Sequence, residues 1–368
     1  LRRWNLSWDQ TVQRPDSPAA LKSLLDTATA TGLALRVVGA ARSHSKVCEP
    51  LGTGIKALKP LSLIALASEL PFTGASWHAL PRTDPFEGTT KLYRCQAGRP
   101  VRKVLDDLEA SNRSLANHGS GSFQGIVGLI ATGSHGSGWQ LPPLSGLVRA
   151  VTVLIPDGPG ASHFELILPA DSRKPYEVAH GAVVKMRFGD EEHDVRVNVD
   201  TAVFDATNIG LGSLGLIYSV TLEVIDHKKY LREARTLRSW NLDVRDHFEE
   251  EVDKSRHFEV QIIPHHGTGA AGGVDIQPSD HLCQVVTRKI SSVERRTGRR
   301  GLPLRAGRLG IAKTIIGMRI RKGLRDPTRL PNGLVNAITQ TADRDFNDYI
   351  AEVLLMELQF VGIGAEFA

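Results

Sequence analysis

The chain has 368 residues, 41% hydrophobic and 23% charged, with a net charge of +5. That length exceeds the roughly 250 to 300 residues at which a single hydrophobic core stops growing, so two domains are expected. Cys48, Cys95 and Cys283 are odd in number and far apart, which argues against a disulfide framework or a CxxC zinc site. No uncharged apolar run approaches the roughly 18 residues of a membrane span, and LRRWNLSWDQ lacks the apolar stretch of a signal peptide. A cytoplasmic location is expected.

Taken in chain order, the first predicted element is a helix with Asp16 or Ser17 as N-cap, Pro18 in its first turn, a stripe of Leu21, Leu24, Leu25 and Ala28, and Gly32 after its end. The apolar run from 33 to 40 predicts a buried strand leading into the polar turn ARSHS. A weaker strand pattern covers 58 to 66, and 68 to 90 has the Pro, Gly and Thr content of a surface excursion. LYRCQAG predicts a strand, and PVRKVLDDLEASN a short helix with Val101, Val104, Leu105 and Leu108 on one face. After the stretch 115 to 138, LSGLVRAVTVLIPDGPG predicts a strand closed by a Pro-Asp-Gly turn. Residues 160 to 200 resemble a charged insertion with strand content. AVFDATNIGLGSLGLIYSVTLEVI predicts a helix, a glycine-rich hinge and a strong strand from 216 to 225. From 226 the pattern gives a helix in NLDVRDHFEEEVDKSRH, a strand in HFEVQIIPH, a loop at GTGAAGG, a helix over 333 to 350 and a final apolar strand that stops abruptly.

Between Arg288 and Arg329 there are fourteen Lys/Arg against Glu294 and Asp326, so the basic character of the chain is concentrated in one segment. It carries no aromatic residue to stack on bases, which argues against a nucleic-acid partner. A solvated basic face is the plain reading of such a run. IAKTIIGMRIRKGL, which mixes apolar and cationic residues, leaves peripheral membrane contact through 288–329 as the alternative.

The stretch LANHGSGSFQGIVGLIATGSHGSG (115 to 138) holds seven glycines and five Ser/Thr in 24 residues, with no lysine. Glycine permits close backbone approach and positive φ, so successive N–H groups converge on phosphate oxygens. The interleaved Ile126, Val127, Leu129, Ile130 and Ala131 argue for a folded cradle rather than a linker. Two further glycine-rich elements, VVGAARSHS (37 to 45) and IGLGSLGLI (209 to 217), lie far away in sequence. None has the strand-turn-helix context of a dinucleotide fingerprint.

Together and in this order, the three elements resemble the FAD-binding domain of the vanillyl-alcohol-oxidase superfamily, in particular its aldonolactone oxidase and alditol oxidase branch. The resemblance implies an α+β fold: a two-subdomain PCMH-type FAD-binding domain over 1–225, then an α+β cap (substrate) domain over 226–368, incomplete at its C-terminus. It implies that Val38, Gly39, Ala40, Ala41, Arg42, Ser43 and Ser45 border the FAD pyrophosphate. Gly119, Ser120, Ser122, Gly125, Gly128, Thr132, Gly133, Ser134, His135, Gly136 and Ser137 would line the pyrophosphate, ribityl chain and flavin edge, and Gly215 and Ile217 would bracket the adenine or its linker. Without an acidic partner nearby, His135 is expected to position the loop rather than act as acid or base.

Family members that bind flavin covalently carry histidine where Arg42 stands, so non-covalent FAD is expected, with Arg42 as a cation near the flavin or its phosphates. Gly119 stands where the family's oxidases have glycine and the plant dehydrogenases alanine, which implies O2 as acceptor. Glu357, in LMELQFV, matches a substrate-facing strand and is the candidate catalytic carboxylate. The family's late His-Trp-Gly-Lys element has no counterpart within 368 residues. The expected activity is oxidation of a CH–OH group of a sugar lactone, alditol or related polyol, with no metal. The alternatives are a membrane-surface dehydrogenase passing electrons to a quinone or cytochrome, and a flavin-binding scaffold with little turnover.

Overall fold

A computed structural model of the protein describes residues 13, 15–33, 35–37, 39, 56–58, 91–119, 121, 124–189, 191–226, 229–262, 269–271, 274–276, 280–294 and 345–348. Helix α1 (Pro18–Ala30) begins where the sequence signals it: Ser17 Oγ accepts the Ala20 N–H at 3.1 Å, and proline occupies the first turn, where its missing N–H has no partner to lose. Leu21, Leu25 and Ala28 form its buried stripe, and Gly32 at φ 67° takes the left-handed position after its end. Next come β1 (Leu35–Val37) and β2 (Lys56–Leu58), paired in parallel. Of the strand expected over 58 to 66, only Leu58 lies within the described residues.

The main sheet is built from β3 (Lys91–Gln96), β4 (Arg113–Ser114), β5 (Val148–Pro156), β6 (Ser162–Leu168), β7 (Val183–Phe188), β8 (Glu191–Val199) and β9 (Leu216–Asp226). Its order is β3-β9-β5-β6-β8-β7, with β4 also paired to β9. Residues 160 to 200 are therefore not an insertion. They supply three of its seven strands, and their charged look comes from the outermost strands, where Lys185 and Arg187 on β7 face solvent. One face of the sheet packs on α2 (Val101–Ala110) through Val101, Val104, Leu105 and Leu108, and on α3 (Ile126–Ala131) through Ile126 and Ile130. Leu21 and Leu25 of α1 share the other core with Phe164, Phe188, Val195 and Val197. Full burial of each such leucine or phenylalanine contributes about 1.5–3 kcal/mol. Helix α4 (Thr201–Asn208), capped by Asp200, precedes β9.

Beyond Asp226 the chain enters a different sheet, of order β11-β14-β10-β15, formed by β10 (Lys229–Ser239), β11 (His257–Ile262), β14 (Leu282–Glu294) and β15 (Asp345–Asp348). A π-turn at Trp240–Val244 and helix α5 (Phe248–Asp253) lie between its first two strands, so the helix expected there is present but broken in two. Val244, Phe258, Cys283 and Val285 make a small core on one face of this sheet. Two expectations fail. Within the stretch expected as a loop, residues 269–271 form β12 (Gly269–Ala271), which pairs antiparallel with β13 (Val274–Ile276) just beyond it, and residues 345–348 are not helical but pair with the free edge of β10. The architecture is α+β. Cys95 and Cys283 are buried free thiols. Among the described residues, no helix is long and apolar enough to cross a membrane.

Candidate functional site

The glycine-rich stretch folds as two lips held against each other. A Cβ on Gly119 would stand 3.2 Å from the His135 carbonyl oxygen, and one on Gly136 would overlap the Asn117 side chain and approach the His118 carbonyl at 2.6 Å. Only glycine lets the two backbones pass this closely. Between the lips runs α3, anchored at its start by Val101 N–H donating to Gln124 O and Ile126 N–H to Arg99 O, both at 2.9 Å. At its end Gly133 (φ 68°) reverses the chain, and the Ser134 N–H donates to Leu129 O at 2.9 Å. Asn117 donates from Nδ2 to Pro142 O at 3.2 Å, while its Oδ1 and the Oε1 of Gln124 are buried without a hydrogen-bond partner among the described residues. Unpaired buried acceptors are costly, so their presence in the cradle marks a demand for a ligand or water.

The second sheet closes over this cradle, and the contact is polar. Register places Glu233 of β10, Arg288 of β14 and His257 of β11 side by side on one face, with Arg235 and Glu259 two residues along. Glu233, Arg288 and His257 are each 0% exposed. Arg288 Nε donates to Glu233 Oε2 at 2.7 Å, and Arg235 Nε donates to the other carboxylate oxygen at 2.6 Å. The seam to the cradle includes three bonds between described residues. Arg288 donates to Ser137 Oγ at 3.0 Å, the Phe258 N–H to Ser137 O at 3.1 Å, and Arg256 to Ala116 O at 3.3 Å.

Two histidines meet at the seam, both neutral. His118, 2% exposed, is pushed down to about 4 by burial, with Arg288 acting in the same direction. His257 is pushed down to about 2 by burial, and the nearby Arg256, Arg288 and His118 add to the effect. The Nδ1 of His118 lies 2.8 Å from Gly119 O. A carbonyl only accepts, so Nδ1 carries the proton and Nε2 the lone pair. Among the described residues, neither His118 Nε2 nor either ring nitrogen of His257 has a hydrogen-bond partner.

The structure brings Gly119, Gly125, Gly128, Thr132, Gly133, Ser134, His135, Gly136 and Ser137 together in the cradle. Several have a local structural duty: Gly125 caps α3, Gly133 ends it, Thr132 hydrogen-bonds back to Gly128 O at 2.9 Å, and exposed His135 bonds Gly136 O at 2.9 Å. Gly215 (φ 127°) is required by close packing of β9 on β5, since a Cβ would come within 2.9 Å of Leu154 O, and Ile217 packs beside it against the core. Gly39 is described, whereas Val38, Ala40, Ala41, Arg42, Ser43, Ser45, Ser120, Ser122 and Glu357 lie outside the described residues. Arg288 is a correction. As the first residue of the basic segment it was expected on a solvated or membrane-facing surface, but it is buried against Glu233. Residues 295–329 lie outside the described residues. The sequence reading missed His118, Glu233, Arg235, His257 and Arg288. A readable signal existed for two of them: Glu233 and Arg235 continue the inward phase set by Leu231 on β10.

This fold has counterparts among solved structures. Cholesterol oxidase from Brevibacterium sterolicum superposes with a TM-score of 0.55 at 14% identity, covering 93% of this chain and 58% of that one, and a solvent-stable cholesterol oxidase gives 0.56. In sequence, the chain is 24% identical over 178 residues to the mitochondrial L-galactono-1,4-lactone dehydrogenase of Brassica oleracea, covering 48% of this chain and 24% of the relative. It is 23% identical over 255 residues to the L-gulono-1,4-lactone dehydrogenase of Mycobacterium tuberculosis, covering 69% and 46%. It is also 29% identical over 131 residues to the D-arabinono-1,4-lactone oxidase of Saccharomyces cerevisiae, covering 35% and 18%. The resemblance to the aldonolactone oxidase branch is thus borne out. The chain spans less than half the length of these relatives. No family model matches.

Proposed function

We propose that the protein is an FAD-dependent oxidoreductase that oxidises a CH–OH group of a sugar lactone, alditol or related polyol. The observation that carries this reading is the backbone cradle at 115 to 138 closed over by the polar face of the second sheet. Its residues suit the cofactor: Gly119 and Gly136 leave no room for side chains, and Asn117 Oδ1 and Gln124 Oε1 are acceptors without partners, able to receive ring or ribityl donors. Gly39 and the cradle glycines, with the polar residues of the sequence stretch 37–45, would hold the pyrophosphate through backbone N–H groups. When bound, FAD supplies two-electron chemistry, and the protein supplies binding, orientation and electrostatics. The Glu233–Arg288–Ser137 chain fixes the cap sheet over the cradle, and the seam it closes keeps water from the substrate side. With arginine at 42, the FAD is held non-covalently.

Gly119 supports O2 as electron acceptor, with glycine where a methyl would obstruct access to the flavin. The names of the relatives support a second reading, since most are dehydrogenases, and a quinone or cytochrome then replaces O2. A visible spectrum of the purified protein before and after denaturation tests the cofactor. Absence of flavin absorbance after supplementation with FAD overturns the proposal. Anaerobic bleaching by aldonolactones and alditols tests the donor class, and oxygen consumption against dye reduction separates the two acceptors.

A further inference from the structure

We propose that His118 is the proton acceptor for the substrate hydroxyl, with its Nε2 presented at the seam between the cradle and the cap sheet. This rests on the oxidoreductase reading above and names a residue for it. The geometry has three parts. The 2.8 Å bond from Nδ1 to the carbonyl of its own neighbour Gly119 fixes both the ring plane and the tautomer, leaving a bare lone pair on Nε2. That lone pair is buried and, among the described residues, unpartnered, a state that costs about 1–3 kcal/mol unless a donor arrives. Its neighbourhood is the seam itself: Gly119 is one lip of the cradle, and Arg288 and His257 of the second sheet lie close enough to act on the ring electrostatically.

The atoms balance simply. The O–H bond of the donor breaks as an Nε2–H bond forms, and the C–H bond gives its electron pair, with the hydrogen, to the bound flavin oxidant. The carbon–oxygen bond becomes a carbonyl. His118 is a weak base, pushed down to about 4, and this suits the step. A hydroxyl whose carbon is losing hydride becomes a protonated carbonyl, acidic enough for a weak base to deprotonate, while a stronger base would be lost to protonation in mild acid. His257, also neutral and unpartnered among the described residues, adds a second polar edge at the same seam.

The test has two arms. Histidine 15N NMR of the purified protein should show His118 with Nδ1 protonated and Nε2 bare from pH 8 down to about pH 5. An Nε2–H tautomer overturns the assignment without any appeal to activity. His118→Asn keeps an amide donor where Nδ1 sits and removes Nε2. With FAD bound normally, its anaerobic reduction by the best aldonolactone or alditol should fall about 100-fold or more, with little change in KM. Undiminished reduction in H118N overturns the inference alone. Failure of every aldonolactone and alditol to bleach wild-type flavin overturns the donor reading and this inference with it. If H118N does not fold, the tautomer measurement decides.

Discussion

Acid should loosen the protein through two buried histidines, and the size of the effect follows from their surroundings. His118 and His257 sit at about 4 and about 2 in the folded state against an ordinary 6.5. Because their folded values are lowered, the unfolded chain binds more protons below pH 6.5, and stability falls as pH falls. Each group is nearly silent at pH 7 and costs about 2 kcal/mol by pH 5, so the pair removes about 4 kcal/mol over that interval. Against a typical total of about 5–15 kcal/mol this is a large share. Urea midpoints measured from pH 7.5 to pH 5 should drop accordingly, with close to two extra protons taken up on unfolding near pH 5. His257→Gln should remove one of those protons and flatten the curve by about half. An identical pH dependence in wild type and H257Q would refute the reasoning, because it would mean that His257 titrates the same way in both states.

Arg288→Met should cost about 3 kcal/mol in denaturant unfolding, the sum of a charge-assisted bond to Glu233 and the bond to Ser137, since Arg235 still neutralises the carboxylate. A loss under 1 kcal/mol would show that the second sheet does not depend on this tie. Gly119→Ala should slow flavin reoxidation by O2 more than flavin reduction. Its methyl would also press on the His135 carbonyl, so a modest rise in the FAD dissociation constant is expected beside it; equal slowing of both half-reactions counts against the oxygen gate. Gly136→Ala meets the Asn117 side chain and the His118 backbone and should destabilise by about 1–3 kcal/mol, read from thermal unfolding. Acid precipitation should release yellow flavin into the supernatant; colour that stays with the pellet contradicts non-covalent binding.

Elements with purely local causes were legible in the sequence. The cap, proline and leucine stripe of α1 and the four-residue face of α2 need nothing beyond their own turn chemistry. Elements whose cause lies elsewhere in the chain were not. The segment at 345 to 348 follows a helical pattern, but the open edge of β10 offers it ladder partners and tertiary pairing prevails. Residues 269 to 276 look loop-like because they are glycine-rich, although Gly272-Gly273 between two short runs is also hairpin chemistry. The cradle was visible because it is contiguous. Its roof was not, since Glu233 and Arg288 meet only through a register that joins positions 55 apart, and His257 through another.

Ser137 gives the molecule a property that neither sheet has alone. Its carbonyl holds the Phe258 amide and its hydroxyl holds Arg288, so one cradle residue is stitched to two strands of the second sheet. A chain cut after Asp226 would leave the Ser137 hydroxyl without its Arg288 bond and strip His118 of the roof that shields it. The portion carrying the glycine signature is therefore not a portable cassette: transplanted by itself into another protein, it would arrive with its lips unsupported. Hydrogen exchange makes the joint visible, because the Phe258 amide, bonded outside its own sheet, exchanges at a rate set by how often the two portions part.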